Sequence, residues 1–178
     1  MLSRDTGFSR PYGHNPYVGY DAKGATPFLF DGTVDPRLGA VERVLGLTVR
    51  GRHLAVPYPR LAAHAHGGVR VADLDLAGAP LLVVWRAGTT SALDRESIAG
   101  SRDMGTAAAF SRQLGGQVLS FTVTNGQVRD KQTGSVWDQF GRATAGPLAG
   151  SRLTPADAID SFWFDWAAFH ADTAVWTG

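Results

Sequence analysis

The sequence predicts an α+β fold dominated by β-strands, with few short helices and an extended N-terminal arm. Glycine (22 residues) and tryptophan (five) are both frequent in the 178-residue chain, which is typical of turn-rich domains with aromatic anchors. Short segments of strand character outnumber helical ones. We therefore expect an antiparallel or mixed sheet, or a partly open barrel, in a single domain over residues 41–178, preceded by an arm over residues 1–40.

The arm has little periodicity, since Pro11, Gly13 and Pro16 disrupt helix and strand alike. It is nevertheless too apolar for a disordered tail. We interpret it as an ordered segment that lies across another surface. The alternative is that it covers the core of its own domain. The candidate interface residues are aromatic: Tyr12, Tyr17, Tyr20, Phe28 and Phe30.

The first half of the domain reads as strands separated by glycine and proline. Residues 41–49 and 53–58 predict two strands joined at Gly51, and residues 60–64 predict one helical turn. Strict alternation predicts a half-buried strand over 69–76. The apolar run 81–85 predicts a strand at the centre of a sheet.

The second half continues with strands and two hairpins. Residues 91–105 predict a loop with a short helix over 92–98, capped by Ser91. Strands are expected over 106–111, 118–123 and 135–138, with hairpin turns at Gly115-Gly116 and Asn125-Gly126. Asp160-Ser161 predicts the cap of a helix over 162–170, whose aromatic face consists of Phe162, Trp163, Trp166 and Phe169.

Composition argues against several classes of partner. The chain has 17 basic and 16 acidic residues, and the basic ones are scattered, so we expect no nucleic-acid partner. No apolar run approaches the ~20 residues of a transmembrane helix. The absence of cysteine excludes thiolate catalysis and Cys-ligated zinc. It does not fix the compartment; we favour an extracytoplasmic location, and the first residues show no signal-peptide pattern.

Five segments together resemble a known family. They are residues 15–21 (NPYVGYD), 88–94 (GTTSALD), 133–138 (TGSVWD), 145–150 (AGPLAG) and 162–173 (FWFDWAAFHADT). In their order and spacing they resemble the domain of unknown function 3179 family over nearly the whole chain. The resemblance implies a shared fold. It implies no activity, since none is established for the family.

The resemblance also implies a tandem origin. Long relatives have two related halves, and this chain is similar to the second half, with residues 3–7 at the joint. Many relatives carry Cys-Pro-Leu-Cys-Gly-Thr where this chain has residues 84–89, so Val84 and Ala87 replace both cysteines. Relatives also carry a motif just upstream that begins with histidine, and the position of that histidine falls near Gly68 in this chain. A metal or redox site there would be lost in this chain, which would then serve packing or partnership.

Two sets of residues are candidates for ligand chemistry. His64 and His66 share one face of an extended segment, imidazole suits zinc or copper, and Asp73 and Asp75 on the following strand would complete the ligands. The alternative is that the two histidines are solvated loop residues. A ligand site is predicted at Arg86, Thr89, Ser91 and Asp94, where Arg86 follows an apolar strand and requires an anion. Local capping by Ser91 is the simpler interpretation of that loop.

We expect a non-catalytic interaction or structural module that assembles with a related domain, or with itself, through its arm. The alternative is a metal- or small-ligand-binding enzyme domain that uses His64, His66 and nearby carboxylates. Apart from a possible metal ion, no cofactor is predicted. The sequence does not choose between a closed oligomer and a filament.

Overall fold

The computed structural model describes Gly7 and residues 15–178. This part of the chain contains thirteen strands, two α-helices and one 3-10 helix (Ile98–Gly100). In chain order the elements are β1 (Arg43–Val49), β2 (Arg52–Pro57), α1 (Tyr58–Ala63), β3 (Val69–Leu76), β4 (Ala79–Arg86), β5 (Thr106–Ser111), β6 (Gln113–Leu114), β7 (Gln117–Val118), β8 (Phe121–Thr124), β9 (Gln127–Asp130), β10 (Val136–Trp137), β11 (Ala143–Ala145), β12 (Ala158–Phe162), α2 (Trp163–Phe169) and β13 (Ala174–Val175).

The strands form three sheets and a small hairpin. Sheet A has the order β12-β1-β2-β13, sheet B the order β3-β4-β5, and sheet C the order β11-β10-β9-β8; β6 and β7 pair separately. All pairs are antiparallel except β13 with β2, which is parallel. The predicted β-dominated α+β class, with antiparallel and mixed sheets, is confirmed.

Sheet B is the middle layer of the protein. Leu81, Val83 and Trp85 of β4 pack into a core with β1, β2 and α1. Leu82 and Val84, on the opposite face, pack into a second core with sheet C. Because side chains alternate between the two faces of a strand, a strand with both faces buried is apolar throughout. The central position predicted for the run 81–85 is confirmed.

The other face of sheet A is covered by α2. Val44 and Ala55 form a third core with Trp163, Trp166 and Ala167. Gly46 allows this contact, because a Cβ there would lie 2.3 Å from the Trp166 ring. Phe169 is 81% exposed, so its predicted place on the aromatic face is wrong.

The predicted cap of α2 is also wrong. Asp160 and Ser161 belong to β12, which pairs with β1 as far as Phe162, and Phe162 occupies the N-cap position. The Ser161 hydroxyl donates instead to the Asp165 side chain, 2.6 Å away. Strand pairing therefore continues up to the first helical residue.

Both hairpins form at the predicted turns. Gly115 and Gly116 have φ values of +56° and +81°, and Asn125 and Gly126 have +51° and +71°. Positive φ at both central residues is the requirement of the type I′ turn, which glycine and asparagine meet at low cost. The predicted helical turn after β2 is also confirmed, as α1, although it begins two residues earlier than residue 60.

The predicted helix over residues 92–98 is wrong. Residues 92–97 contain bends and no helix, and only the 3-10 helix Ile98–Gly100 follows. The carbonyls that a helix would use accept hydrogen bonds from the arm: Ala92 and Arg95 from the Asn15 amide, Leu93 from Tyr20 N–H and Asp94 from Gly19 N–H. A contact about 75 residues apart in sequence thus replaces the local structure.

Candidate functional site

The arm and the loop over residues 88–105 (the loop) meet in a network of charged and hydroxyl side chains. Residues 15–40, the described part of the arm, contain no helix or strand. Asp21 lies at the centre of the network and is 3% exposed. One carboxylate oxygen accepts from the buried Ser91 hydroxyl at 2.5 Å. The other lies 2.8 Å from a guanidinium nitrogen of Arg102, at an angle outside hydrogen-bond geometry. The arm is therefore held to the loop by a buried carboxylate.

Arg102 connects Asp21 to Asp94 of the loop. Its guanidinium lies 3.3 Å from the Asp94 carboxylate, which also accepts from the Arg102 N–H at 2.8 Å. The Arg102 guanidinium also donates to the backbone carbonyl of Asp21, which reinforces the junction. Two carboxylates thus share one guanidinium, an arrangement that fixes three backbone segments at once.

Asp103 closes the base of the loop. Its carboxylate accepts from the backbone N–H groups of Gly88, Thr89 and Gly105, at 2.8, 3.1 and 2.8 Å. A carboxylate that accepts three amide hydrogen bonds is occupied by the fold. The carboxylates of Asp94 and Asp103 therefore hold the backbone of the loop through hydrogen bonds.

A cavity of about 450 Å³ lies beside this network. Its walls come from four segments: residues 21–24 of the arm, residues 39–43, α1, and residues 102–104 of the loop. The apolar part of the lining is Val41, Pro59, Ala62 and Met104, and six charged side chains, three of each sign, surround it. Its volume falls in the range of small-molecule sites, roughly 300–1,000 Å³.

Three residues of the lining contain buried polar atoms without a hydrogen-bond partner. They are the Tyr58 hydroxyl, the Arg43 Nε and the Asp21 Oδ1, and the last of these lies 2.8 Å from the Arg102 guanidinium. Tyr58 is 2% exposed, and burial, with the negative charge of Asp160 nearby, raises the pKa of its phenol far above the ordinary value. The phenol is therefore protonated at neutral pH, and the Asp160 carboxylate and the Ala107 backbone lie near its hydroxyl without reaching hydrogen-bond geometry. Arg43 pairs through its Nη1 with the Asp160 carboxylate, at 3.2 Å.

Unpartnered buried donors are unusual, because each costs the desolvation energy of its group, about 1–3 kcal/mol. Within the described residues, Arg70 Nε and Trp85 Nε1 share this property but do not line the cavity. The combination of cavity and unpartnered donors makes Tyr58 and Arg43 the candidate functional residues.

The structure brings together three of the four predicted ligand residues. Ser91 and Asp94 lie in the arm–loop network, and the Thr89 N–H bonds to Asp103. Arg86 ends β4, opposite Val69 and Thr106, and its side chain makes no ion pair with any described residue. The predicted helix cap is absent, although the Ser91 hydroxyl accepts from Leu93 N–H at 3.0 Å in a local turn.

The four predicted metal ligands occupy different places. His64 is exposed at the end of α1, and His66 forms a backbone bridge with Val69. Asp73 lies on β3 four residues beyond Val69, the residue that His66 bridges, which is roughly 13 Å along the strand. Among the described residues, no three His, Asp or Glu side chains are grouped as a metal site. A metal at the two histidines stays a prediction.

The two aspartates have other partners. Asp73 accepts from Phe121 N–H at 3.0 Å, and this hydrogen bond joins β3 to β8. The Asp73 carboxylate also lies 3.6 Å from the Arg112 guanidinium. Burial raises the pKa of Asp73, against the opposing effects of Phe121 and Arg112. Asp75 accepts from Gly78 N–H in the turn between β3 and β4.

The predicted interface residues of the arm contact their own domain in part. Tyr20 packs edge-on against Phe162 at 5.8 Å between ring centroids, and Phe30 packs against Phe164 at 5.1 Å. Tyr17 and Phe28 stack at 6.3 Å, and each remains about half exposed. Tyr12 and residues 3–6 of the expected joint lie outside the described residues. The arm thus covers its own domain on one side and presents aromatic side chains on the other.

The motifs that suggested the family contact one another in pairs. Residues 15–21 bond to residues 91–95, as described above. In sheet C, the Ser135 hydroxyl accepts from Leu148 N–H at 3.0 Å, and a Cβ on Gly146 would lie 2.7 Å from Ser135. These motifs therefore hold distant segments together, which accounts for their value in recognising the fold.

Asp130 is the buried centre of the sheet C motif. Its carboxylate accepts from the Trp137 indole at 3.0 Å and from the Thr133 amide and hydroxyl at 2.6 and 2.9 Å. Burial raises the pKa of Asp130, but the hydrogen bonds from Trp137 and Thr133 outweigh it, and the net pKa is lowered. Every group in this cluster has a partner.

Sequence reasoning missed Asp21, Arg102, Tyr58 and Arg43 as site residues. The sequence pattern places Tyr58 at the end of a strand, and neither Arg43 nor Arg102 lies in a motif. The buried, unpartnered condition of Tyr58 arises only from tertiary packing, so no local pattern identifies it. A local signal does exist for Asp21, because it ends the segment 15–21 on which the family resemblance rests.

Comparisons with known proteins support the resemblance. The model of a family described as "Protein of unknown function (DUF3179)" matches residues 1–173. No curated protein and no solved structure matches the chain. In the described residues, no helix is long and apolar enough to cross a membrane.

Proposed function

The chain belongs to the DUF3179 family of proteins of unknown function, and we propose that it is a non-catalytic interaction module that associates with a second copy of itself through its arm. The contact surface consists of Tyr17, Val18, Phe28 and Leu29, which we call the arm surface. All four side chains are exposed, and they form two neighbouring pairs in the chain that are joined by the Tyr17–Phe28 ring contact.

Leu29 is the observation that carries this proposal. It is 95% exposed, and its backbone φ is +61°. A left-handed conformation costs an ordinary L-residue about 1–2 kcal/mol, and here it presents a fully exposed leucine to water. Neither feature benefits the isolated domain. Strained backbone of this kind is concentrated at binding sites, where a partner repays its cost.

The neighbouring rings keep the arm surface in place. Phe28 packs edge-on against Tyr20 at 5.2 Å, and Tyr20 packs against Phe162 of the domain. The surface is therefore fixed before binding, which lowers the entropy cost of association. In a two-fold dimer the arm surface of one copy faces the same surface of the other. None of its four side chains is charged, so this contact brings no like charges together.

Sedimentation velocity over a range of protein concentrations tests the proposal. The wild-type chain is expected to dimerise, and Leu29→Asn to weaken dimerisation at least tenfold. Asparagine tolerates the left-handed conformation, so the variant loses the apolar contact while the fold is kept. Phe169→Ser is the matched control, since Phe169 is equally prominent on the surface but lies at the end of α2.

Two outcomes would contradict the proposal. One is a wild-type chain that stays monomeric at every concentration. The other is loss of association in Phe169→Ser with normal association in Leu29→Asn. Deletion of residues 1–30 is a less informative test, because it also removes Asp21 and uncovers Ser91.

A further inference from the structure

The cavity beside the arm–loop network is separate from the arm surface. None of the four arm-surface residues lines it. We propose that the cavity is a binding site for a small monocarboxylate with an apolar body.

Most of the charged groups around the cavity are already paired. Asp21 and Arg102 pair with each other, and Asp103 accepts three amide hydrogen bonds. Lys23 has no side-chain partner among the described residues, and neither does Glu42. The charges in the lining balance, so a singly charged anion suits the site better than a dianion, which would face three carboxylates.

The unpartnered polar atoms at the cavity favour an acceptor as ligand. The Arg43 Nε can only donate, and the buried Tyr58 phenol stays protonated, so it also donates. With the Lys23 ammonium, the lining offers three donors without acceptors, and its one buried acceptor without a hydrogen bond, the Asp21 Oδ1, is ion-paired with Arg102. A carboxylate, with two oxygens and about four lone-pair positions, matches donors of this kind.

The walls define the rest of the ligand. Val41, Pro59, Ala62 and Met104 provide an apolar surface from three different segments. A volume of about 450 Å³ accommodates a ring or short aliphatic chain together with its carboxylate. The ligand would thus be held at its charged end by polar groups and along its body by apolar contacts.

The test is an NMR titration of the full chain with benzoate at constant ionic strength. The sequence has two methionines, Met1 and Met104, so a ¹³C-methyl label gives one signal from the cavity. Benzoate is expected to shift the Met104 signal saturably, with benzamide and phenyl phosphate each binding about tenfold more weakly. No saturable shift, or tighter binding of phenyl phosphate or benzamide, would overturn the proposal.

Variants locate the binding. Tyr58→Phe is expected to weaken benzoate about tenfold while raising the Tm by about 2–4 °C, because it removes a buried hydroxyl without a partner. Ala62→Trp fills the cavity and should abolish binding; its control is Ala63→Trp, since Ala63 is also exposed on α1 but lies outside the lining. Lys23→Gln should weaken binding and Lys131→Gln should not. If Tyr58→Phe and Ala62→Trp both bound benzoate as tightly as the wild type, the assignment of the site to this cavity would be overturned.

The two proposals fail independently. Leu29→Asn should bind benzoate normally, because Leu29 is not part of the lining. Tyr58→Phe should dimerise normally, because Tyr58 is not part of the arm surface. If Leu29→Asn lost benzoate binding, or Tyr58→Phe lost dimerisation, the cavity and the arm surface would not be separate sites.

Discussion

The Asp130 cluster in sheet C and the arm–loop junction both place a buried carboxylate between distant segments, but they differ in how completely their neighbours are satisfied. Asp130 and its partners Trp137 and Thr133 leave no unpaired polar atom. Around the junction, Tyr58 and Arg43 have unpartnered donors and Leu29 is exposed in a strained conformation. A satisfied cluster serves the fold, and an unsatisfied one indicates where binding is expected.

Asp130→Asn tests the structural half of this comparison and has the largest expected effect. An amide in place of the carboxylate sets an N–H against the donors of Trp137 or Thr133, which should destabilise the protein by about 3 kcal/mol. Urea unfolding measures the change. Asp172→Asn is the control, since Asp172 is exposed. A loss below about 1 kcal/mol would mean that the cluster does not stabilise the fold.

Asp21→Asn tests the junction, and its effect should be local. Loss of the carboxylate charge beside Arg102 should let the arm open without unfolding the sheets. Hydrogen exchange of the Gly19 and Tyr20 amides, which bond to the loop, should accelerate about tenfold. Amides of β4 should be unchanged.

The control for the junction is Asp31→Asn, an exposed aspartate of the same arm. Faster exchange throughout sheet B in Asp21→Asn would show that arm and domain unfold as one unit. The contrast between a local and a global response would then disappear.

The pH dependence of stability is the prediction with the smallest expected effect. The pKa of Asp130 is lowered in the folded state, from about 3.9 in an unfolded chain. Its contribution to stability is therefore complete above that unfolded value and is lost as the pH falls through the folded value. The stability difference between wild type and Asp130→Asn should be constant from neutral pH to about pH 5 and should narrow below about pH 4. A difference unchanged at pH 3 would contradict the lowered pKa.

Local patterns predicted most of the strands but not the elements at segment junctions. Strands β3, β4 and β5 follow from alternation and from the apolar run, and both hairpins follow from their turn residues. β12 was missed, because residues 158–162 alternate weakly and precede a strong helical pattern. Its pairing with β1, more than a hundred residues earlier in the chain, creates the strand. Helix propensity over 92–98 likewise gave way to hydrogen bonds from the arm.

The candidate site shows the same division. Thr89, Ser91 and Asp94 were identified as a polar group because they are close in sequence, and they do lie together. The role of Ser91 and Asp94 as anchors of the arm depends on Asp21 and Arg102, which no spacing connects to them. The cavity escaped prediction entirely, since its four segments lie between residues 21 and 104.

The sequence by itself determined the family, the β-rich class, the central place of β4 and the positions of the tight turns. These depend on short-range periodicity, on φ preferences of single residues and on motifs read in order. Only the tertiary structure decided that the arm would replace a helix in the loop, that Tyr58 would be buried without a partner, and that a cavity would form beside it. Burial and hydrogen-bond satisfaction are properties of contacts between distant segments, and a one-dimensional pattern does not contain them.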